Sequence, residues 1–546
     1  MELTPKTRGA KRARITRVFA CTVLLALPAC RIPKLGLADA GPVLPATFQA
    51  LPIVEMRDDS RKLAIGASLG GAALGGPNAG ESSPAPASGA DSSGQLRVEE
   101  FYADPLLSRL IQRGIADNRE LKILDQEIVI ADAEVLARRG AYLPLVTVGA
   151  GAGAERSSRF TREGAVEDQL TVAPDRPFPK FLPNYRLGLD FTWRLDFWRA
   201  LRNARDAAEQ RYQAAVERRN ASATRLVADI AENYYRLVAL DQRLLTLDRT
   251  ITLQQQSLEA SRALKQAGRV TELAVQRFQA EVRKNQSEKS LVAQEIVEAG
   301  NRINTLVNRY PEPVERIAPA EFFDLNIRAL SAGVPSQLLQ NRPDIRQAER
   351  EITAAGLELK SVRARFYPDL TITAGIGYQA FNPTYLFTSP EALIANVAGG
   401  LVAPLINKKA IQADYLSANA RQLESIYNYQ RVVLTAFTEV INRLAEVENT
   451  RKSIEIKKLQ LDALVASVEI ASQLFQTARA EYVEVLLAQR DLQEARMTLI
   501  QIKTQQLSAV VNAYQALGGG NGLGDAPRMQ PPLAAPARPK FFRSAP

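Results

Sequence analysis

The side chains that most often do acid–base, nucleophilic or metal chemistry are nearly missing from this chain of 546 residues, which has no histidine and only two cysteines, Cys21 and Cys30. Without histidine the commonest general base and the commonest metal ligand are lost. A zinc site, a Ser-His pair or a Cys-His pair is close to excluded, which argues against an enzyme. Glu446 and Glu448 lie on different faces of any helix and define no acid–base pair. No Gly-rich phosphate loop, P-loop lysine or dinucleotide fingerprint occurs, and no cofactor is expected. The chemistry that remains is that of one thiol, Cys30.

Its neighbours say what that thiol is for. Lys6, Arg8, Lys11, Arg12, Arg14 and Arg17 precede an apolar run over 18–27, which ends in Leu27-Pro28-Ala29-Cys30. A basic start, an apolar stretch and a small residue describe a secretory signal peptide over 1–29. The last four residues resemble the lipobox of bacterial lipoproteins, although Pro28 stands where a small or hydroxyl residue is commoner. That resemblance implies lipidation of Cys30 as the first mature residue and its anchoring in outer-membrane lipid; otherwise the leader is an ordinary cleaved signal. Cys21 lies inside the signal, so the mature chain forms no intrachain disulfide even though it leaves the cytoplasm. Losing 1–29 removes six cations and one anion, which takes the formal net charge from +10 to about +5. That is weak ground for a polyanionic partner, and no nucleic acid is expected.

The elements that follow must be long. Residues 405–517, 113 in all, contain neither glycine nor proline, and 197–267 form a second such run of 71. At about 1.5 Å per residue the shorter run alone makes a rod of roughly 105 Å. Short glycine-dotted segments that alternate apolar and polar residues precede each run, so the chain reads as strands and then a long helical hairpin, twice over. Tyr142-Leu143-Pro144-Leu145 echoes Phe366-Tyr367-Pro368-Asp369 in opening the two halves. The expected organisation is a signal at 1–29, a lipid-anchored flexible segment at 30–100, a first repeat at 101–328, a second at 329–517 and a disordered tail at 518–546. Ala, Gly, Ser and Pro dominate 64–94, a composition that cannot offset its own ordering entropy.

The strands carry the clearest periodicity. From Tyr185 to Trp193 the odd positions are Tyr, Leu, Leu, Phe and Trp, whereas the even ones are Arg186, Gly188, Asp190 and Thr192. Leu370, Ile372, Ala374, Ile376 and Tyr378 alternate likewise with Thr and Gly, while 146–152 and 393–402 are weaker versions. Beyond the signal no stretch of about 20 residues is continuously apolar, so any membrane crossing must be a β-barrel. Four strands cannot close one, and lipid tolerates no open edge. The expected fold is an α+β membrane protein in which four transmembrane strands per chain complete a trimeric, twelve-stranded β-barrel, with an internal two-fold repeat. A dimer with eight strands would also close, but side chains would fill its bore.

Between the halves, Val334-Pro335-Ser336-Gln337-Leu338-Leu339-Gln340-Asn341-Arg342-Pro343-Asp344-Ile345-Arg346-Gln347-Ala348-Glu349 resembles the G-L-P-S-x-L-L-x-R-R-P-D-I-R-x-A-E signature of TolC-like outer-membrane efflux proteins, particularly the NodT and OprM lipoprotein branch. Trp193-Arg194-Leu195-Asp196-Phe197-Trp198-Arg199 is similar to that family's W-E-L-D-x-F-G-R, Ala403-Pro404-Leu405 to its second-exit P-L-F, and Tyr482-Val483-Glu484-Val485-Leu486-Leu487-Ala488-Gln489-Arg490 to Y-L-D-V-L-D-A-Q-R. The resemblance covers about 99–517. It implies helical hairpins forming a periplasmic α-barrel, with hairpin tips at Gly268 and Arg269 and at Ala478 and Arg479 as adaptor-docking candidates. It also implies a periplasmic gate near Glu484 and Leu487, where a ring of carboxylates selects against anions and leucines narrow the bore; as a plain helix, Glu484 is a solvated charge. Arg342, Pro343, Asp344 and Ile345 read as a helix start, with proline preset for the first turn and aspartate favourable near the N-terminal partial charge.

The resemblance thus implies a homotrimeric channel of a tripartite efflux system in the outer membrane, extending into the periplasm. Its partners are a periplasmic adaptor and an inner-membrane pump, usually of the RND type. The competing reading, a coiled-coil scaffold or adhesin lipoprotein without a pore, leaves the greasy alternating faces without a purpose.

Overall fold

Paired helices account for both breaker-free runs. The computed structural model describes residues 33, 35–39, 41–45, 93–173, 175–177, 180–325, 335–404, 408–477 and 479–520. Cys30, the signal, most of the expected tether, Ala478 and the tail from 521 lie outside the described residues. The first half contains α1 (Pro105–Asp117), α2 (Arg119–Ala141), β1 (Leu145–Glu155), β2 (Leu182–Leu195), α3 (Ala200–Gln266) and α4 (Glu272–Leu306). The second repeats this order with α5 (Pro335–Asn341), α6 (Pro343–Ala364), β3 (Asp369–Ala380), β4 (Leu393–Val402), α7 (Lys409–Gln476) and α8 (Tyr482–Ala516).

Local chemistry sets the helix starts. Asp104 caps α1 by accepting from the Leu106 and Leu107 N–H groups at 2.8 and 3.2 Å, and Pro105 occupies the first turn. Asn118 does the same for α2, accepting from Glu120 and Leu121 at 2.9 and 3.1 Å. After β2, the Asp196 carboxylate accepts from the Leu201 and Arg202 N–H groups at 3.0 and 2.9 Å, which aims the chain into α3.

The chain forms two units, each built from both halves. The first comprises the described residues of 1–40 together with Ile130–Gln213 and Arg350–Tyr427; it holds the sheet. That sheet is an antiparallel meander, β1-β2-β3-β4, whose edges are β1 and β4. The second comprises the described residues of 41–129, Ala214–Glu349 and 428–546 and contains the main core. There Phe101 stacks on Tyr514 with centroids 4.0 Å apart, and the Tyr234 hydroxyl donates to Asp104 at 2.8 Å. Burial pushes the Tyr234 and Tyr235 phenols up, so both stay neutral. A leucine stripe of α3 lines this core: Leu237, Leu240 and Leu247 are buried and Leu244 packs against them. Each fully buried leucine contributes about 1.5–3 kcal/mol of apolar burial.

Candidate membrane wall and hairpin tips

Strand pairing fixes the faces of the sheet, because directly opposed residues share a side. Val148 faces Leu189, Leu189 faces Ile376 and Ile376 faces Ala395; one row on, Val146, Phe191, Ala374 and Val397 line up in the same way. Apolar residues of all four strands therefore fall on one face. Gly149, Gly188 and Gly377 align on the other, as do Thr147, Asp190, Gly375 and Asn396. Here Arg186 donates to Asp190 at 2.5 Å and Arg194 pairs with Asp369. Glycine is needed where β2 and β3 meet, since a Cβ on Gly377 would lie 2.4 Å from the Leu187 carbonyl oxygen. On the apolar face Val148, Val397 and Leu401 are 74%, 82% and 69% exposed, a surface suited to lipid rather than water.

Aromatic groups mark both ends of this band. At the helix end the Trp193 indole donates to the Tyr142 carbonyl at 3.1 Å, and Trp198 stacks on Tyr367 at 4.7 Å. At the other end Tyr378 meets Phe387 and Phe381 meets Tyr385, with centroids 5.9 and 6.0 Å apart. Paired girdles of this kind belong at membrane interfaces. No helix among the described residues is long and apolar enough to cross a membrane.

In the second unit the two hairpin turns close alike. After α3, Gly268 takes φ 72°, its N–H bonds the Lys265 carbonyl at 2.9 Å and the Arg269 N–H bonds the Leu264 carbonyl at 2.9 Å. This is a Schellman cap, which satisfies carbonyls left open by the helix end. After α7, the Arg479 N–H bonds the Leu474 carbonyl at 2.8 Å, the same six-to-one bond displaced by the repeat. The second tip thus closes although alanine replaces glycine in its sequence. Arg269 and Arg479 are both exposed. Beneath the turns, Val275, Phe278, Phe475, Val485 and Leu486 form one apolar cluster that joins the tips of both hairpins.

Glu484 and Leu487 point away from that cluster. Both are exposed, Leu487 by 52%, while Val485, Leu486 and Ala488 are buried. The structure therefore brings the two sequence-identified residues onto one outward face, and Asp491 and Glu494 extend it at helical spacing. Sequence reasoning passed over those two acids, although their spacing from Glu484 was there to be read. It also missed a buried polar layer just below: Asn285 donates to Gln254 at 2.8 Å and accepts from Gln493 at 2.5 Å, Gln489 donates to Ser257 at 2.8 Å, and Arg490 pairs with Glu281. These contacts tie α8 to α3 and α4.

The signature residues form a joint rather than a reactive site. Arg342 donates to Asp344, to Glu439 of α7 at 2.8 Å and to the Ala516 carbonyl at the end of α8 at 2.9 Å. Pro343 opens α6, Asp344 lies in its first turn, and Ile345 is 1% exposed within a cluster containing Leu338, Val440 and Leu517.

The family profile described as outer membrane efflux protein matches residues 110–309 and 334–519. The solvent efflux pump outer membrane protein SrpC of Pseudomonas putida is 28% identical over 431 residues, covering 78% of this chain and 87% of that protein. The probable outer membrane lipoprotein SilC of Salmonella typhimurium is 26% identical over 427 residues, covering 77% and 87%. In three dimensions a solved structure of CusC, described as undergoing conformational changes that accompany folding and transmembrane channel formation, superposes with a TM-score of 0.71 at 23% identity, covering 90% of this chain and all of the other. With both repeats matched, the chain belongs to the outer membrane efflux protein family.

Proposed function

We propose that three copies of this outer-membrane efflux channel close a single barrel and form a passive duct, fed by a periplasmic adaptor and an inner-membrane pump of the RND type. The observation behind this reading is the sheet: four strands, one apolar face and two open edges, β1 and β4. An unpaired backbone group in hydrocarbon costs several kcal/mol, so β1 of one copy must pair with β4 of another. Twelve strands leave a bore, whereas eight would be filled by side chains.

Within the duct, Glu484 and Leu487 form stacked rings at the tip and act as the periplasmic gate. The exposed tip residues Gly268, Arg269 and Arg479 dock the adaptor, together with Ala478, which lies outside the described residues. Cys30 holds the chain to the membrane by its lipid. The buried polar layer gives the gate a hinge, because hydrogen-bonded amides can exchange partners with water as the α7–α8 hairpin leans outward. Mass measurement of the protein in mild detergent tests the assembly: three copies are expected, with ion-conducting channels in planar bilayers. A membrane-inserted monomer would sink the proposal.

A further inference from the structure

The first unit holds a cavity of about 510 Å³ where β2 hands over to α3 and α6 hands over to β3, at the helix end of the membrane band. Its lining includes Trp198, Arg199, Asp206, Lys360, Arg363 and Tyr367. Arg199, Lys360 and Arg363 are exposed, and no hydrogen bond or ion pair engages their side chains among the described residues. The one acid of the lining, Asp206, is already held by Arg205 at 2.5 Å. The aromatic wall is fixed, since the Trp198 indole donates to the Pro368 carbonyl at 2.8 Å and its ring stacks on Tyr367.

Arg199 adds a second, independent observation. Its φ is 59°, the left-handed region that glycine adopts freely and a long side chain does not. In the W-E-L-D-x-F-G-R pattern the seventh position is glycine, and here it is Arg199. Strain of this kind persists where the residue has a use. The use supported by the surroundings is a cation placed at an interface beside a rigid tryptophan.

We propose that Arg199, Lys360 and Arg363 bind the phosphate of an anionic phospholipid headgroup at the helix-side rim of the barrel, with Trp198 seated at headgroup depth. The proposal rests on the strands spanning the membrane. Basic residues at that depth attract anionic lipid, and a phosphate takes both a guanidinium fork and an ammonium point charge. The site selects headgroup charge, not chain length.

The chain has only two tryptophans, Trp193 and Trp198, so the W193F protein reports from Trp198 alone. Reconstituted full length in phosphatidylcholine vesicles, it is titrated with dibrominated phosphatidylglycerol or with dibrominated phosphatidylcholine, which quench indole emission on contact. Phosphatidylglycerol is expected to quench at about a tenfold lower mole fraction. The preference should fall to about twofold or less in a Lys360→Gln, Arg363→Gln protein. Arg199→Gly, which relaxes the backbone and so leaves the fold intact, should weaken it as well. Equal quenching by both lipids in W193F, or a preference unchanged by the substitutions, overturns the proposal while leaving the barrel standing. Inorganic phosphate that abolishes quenching by both lipids alike identifies a free-phosphate site and overturns it too. Absence of quenching by either lipid refutes both the site and the membrane reading.

Discussion

The Arg342 guanidinium meets both carboxylate oxygens of Asp344, Nε to Oδ1 at 3.0 Å and Nη2 to Oδ2 at 2.7 Å. With only 12% of its side chain exposed, it also serves Glu439 and the last turn of α8. Arg342→Ala would strand two acids and a helix-end carbonyl, and should lower the unfolding free energy by about 3 kcal/mol. Arg342→Lys restores the charge without the fork and should recover less than half of that. Calorimetry in detergent measures both, and an unchanged melting temperature would show that the joint is idle.

Two glycines with similar backbone angles should respond differently to alanine. Gly518, at φ 83°, would place a Cβ 2.7 Å from the Asn341 carbonyl oxygen, whereas Gly268, at φ 72°, faces open space. Gly268→Ala bears only the left-handed penalty, about 1–2 kcal/mol, and bears it at the tip. Gly518→Ala adds a backbone clash and should cost clearly more, about 3 kcal/mol. If the two variants melt together, the packing of Gly518 on Asn341 has been misread.

At the proposed gate, Leu487→Ser should raise resting conductance by removing an apolar constriction, and Glu484→Gln should reduce cation preference. Single-channel recording reads both. Parental conductance and selectivity in both variants would place these side chains on the outside of the tube.

Acid should loosen the start of α3. Burial alone would raise the Asp196 carboxyl, but the Arg202 and Leu201 N–H groups and the Arg202 guanidinium outweigh it and hold it below its ordinary value. A carboxyl depressed on folding stabilises the fold above its unfolded value, about 3.9, and that contribution disappears as the pH falls through the folded value. The melting temperature of Asp196→Asn should therefore lie below the parent's at neutral pH, with the gap closing below about pH 4. A gap independent of pH would assign the effect to lost geometry alone.

Labelled palmitate should be incorporated by the parent and not by Cys30→Ala, while the proposed trimer survives, since barrel closure does not need the lipid. Equal labelling of the two proteins removes the anchor.

Where one residue type dominated, the sequence spoke clearly. Tyr185 to Trp193 alternate so sharply that β2 could be read nearly to its ends, and it runs only three residues further upstream and two further downstream, over Leu182–Leu195. In β1 and β4, glycine and alanine occupy both registers, and only pairing with β2 and β3 shows that Val148 and Val397 share the apolar face. The reach of Arg342 to Ala516 crosses 174 positions, which no local pattern encodes. Asn285 looked like one more polar residue of a long helix, yet it is 0% exposed between two glutamines. The second tip was less legible than the first, since alanine stands where the repeat puts the glycine of a left-handed turn, and only the bond from the Arg479 N–H to the Leu474 carbonyl shows that it closes.

The open edges of β1 and β4 also govern timing. Helices satisfy their own backbones and can form as soon as a copy is made, but in the proposed trimer the sheet is complete only in company. Barrel closure is therefore a concentration-dependent step, and its rate climbs steeply with the number of copies waiting. Until then each copy carries two adhesive margins, and a copy defective at either margin would spoil every ring it joins. In a mixed population one damaged allele would thus silence far more than its own share of channels.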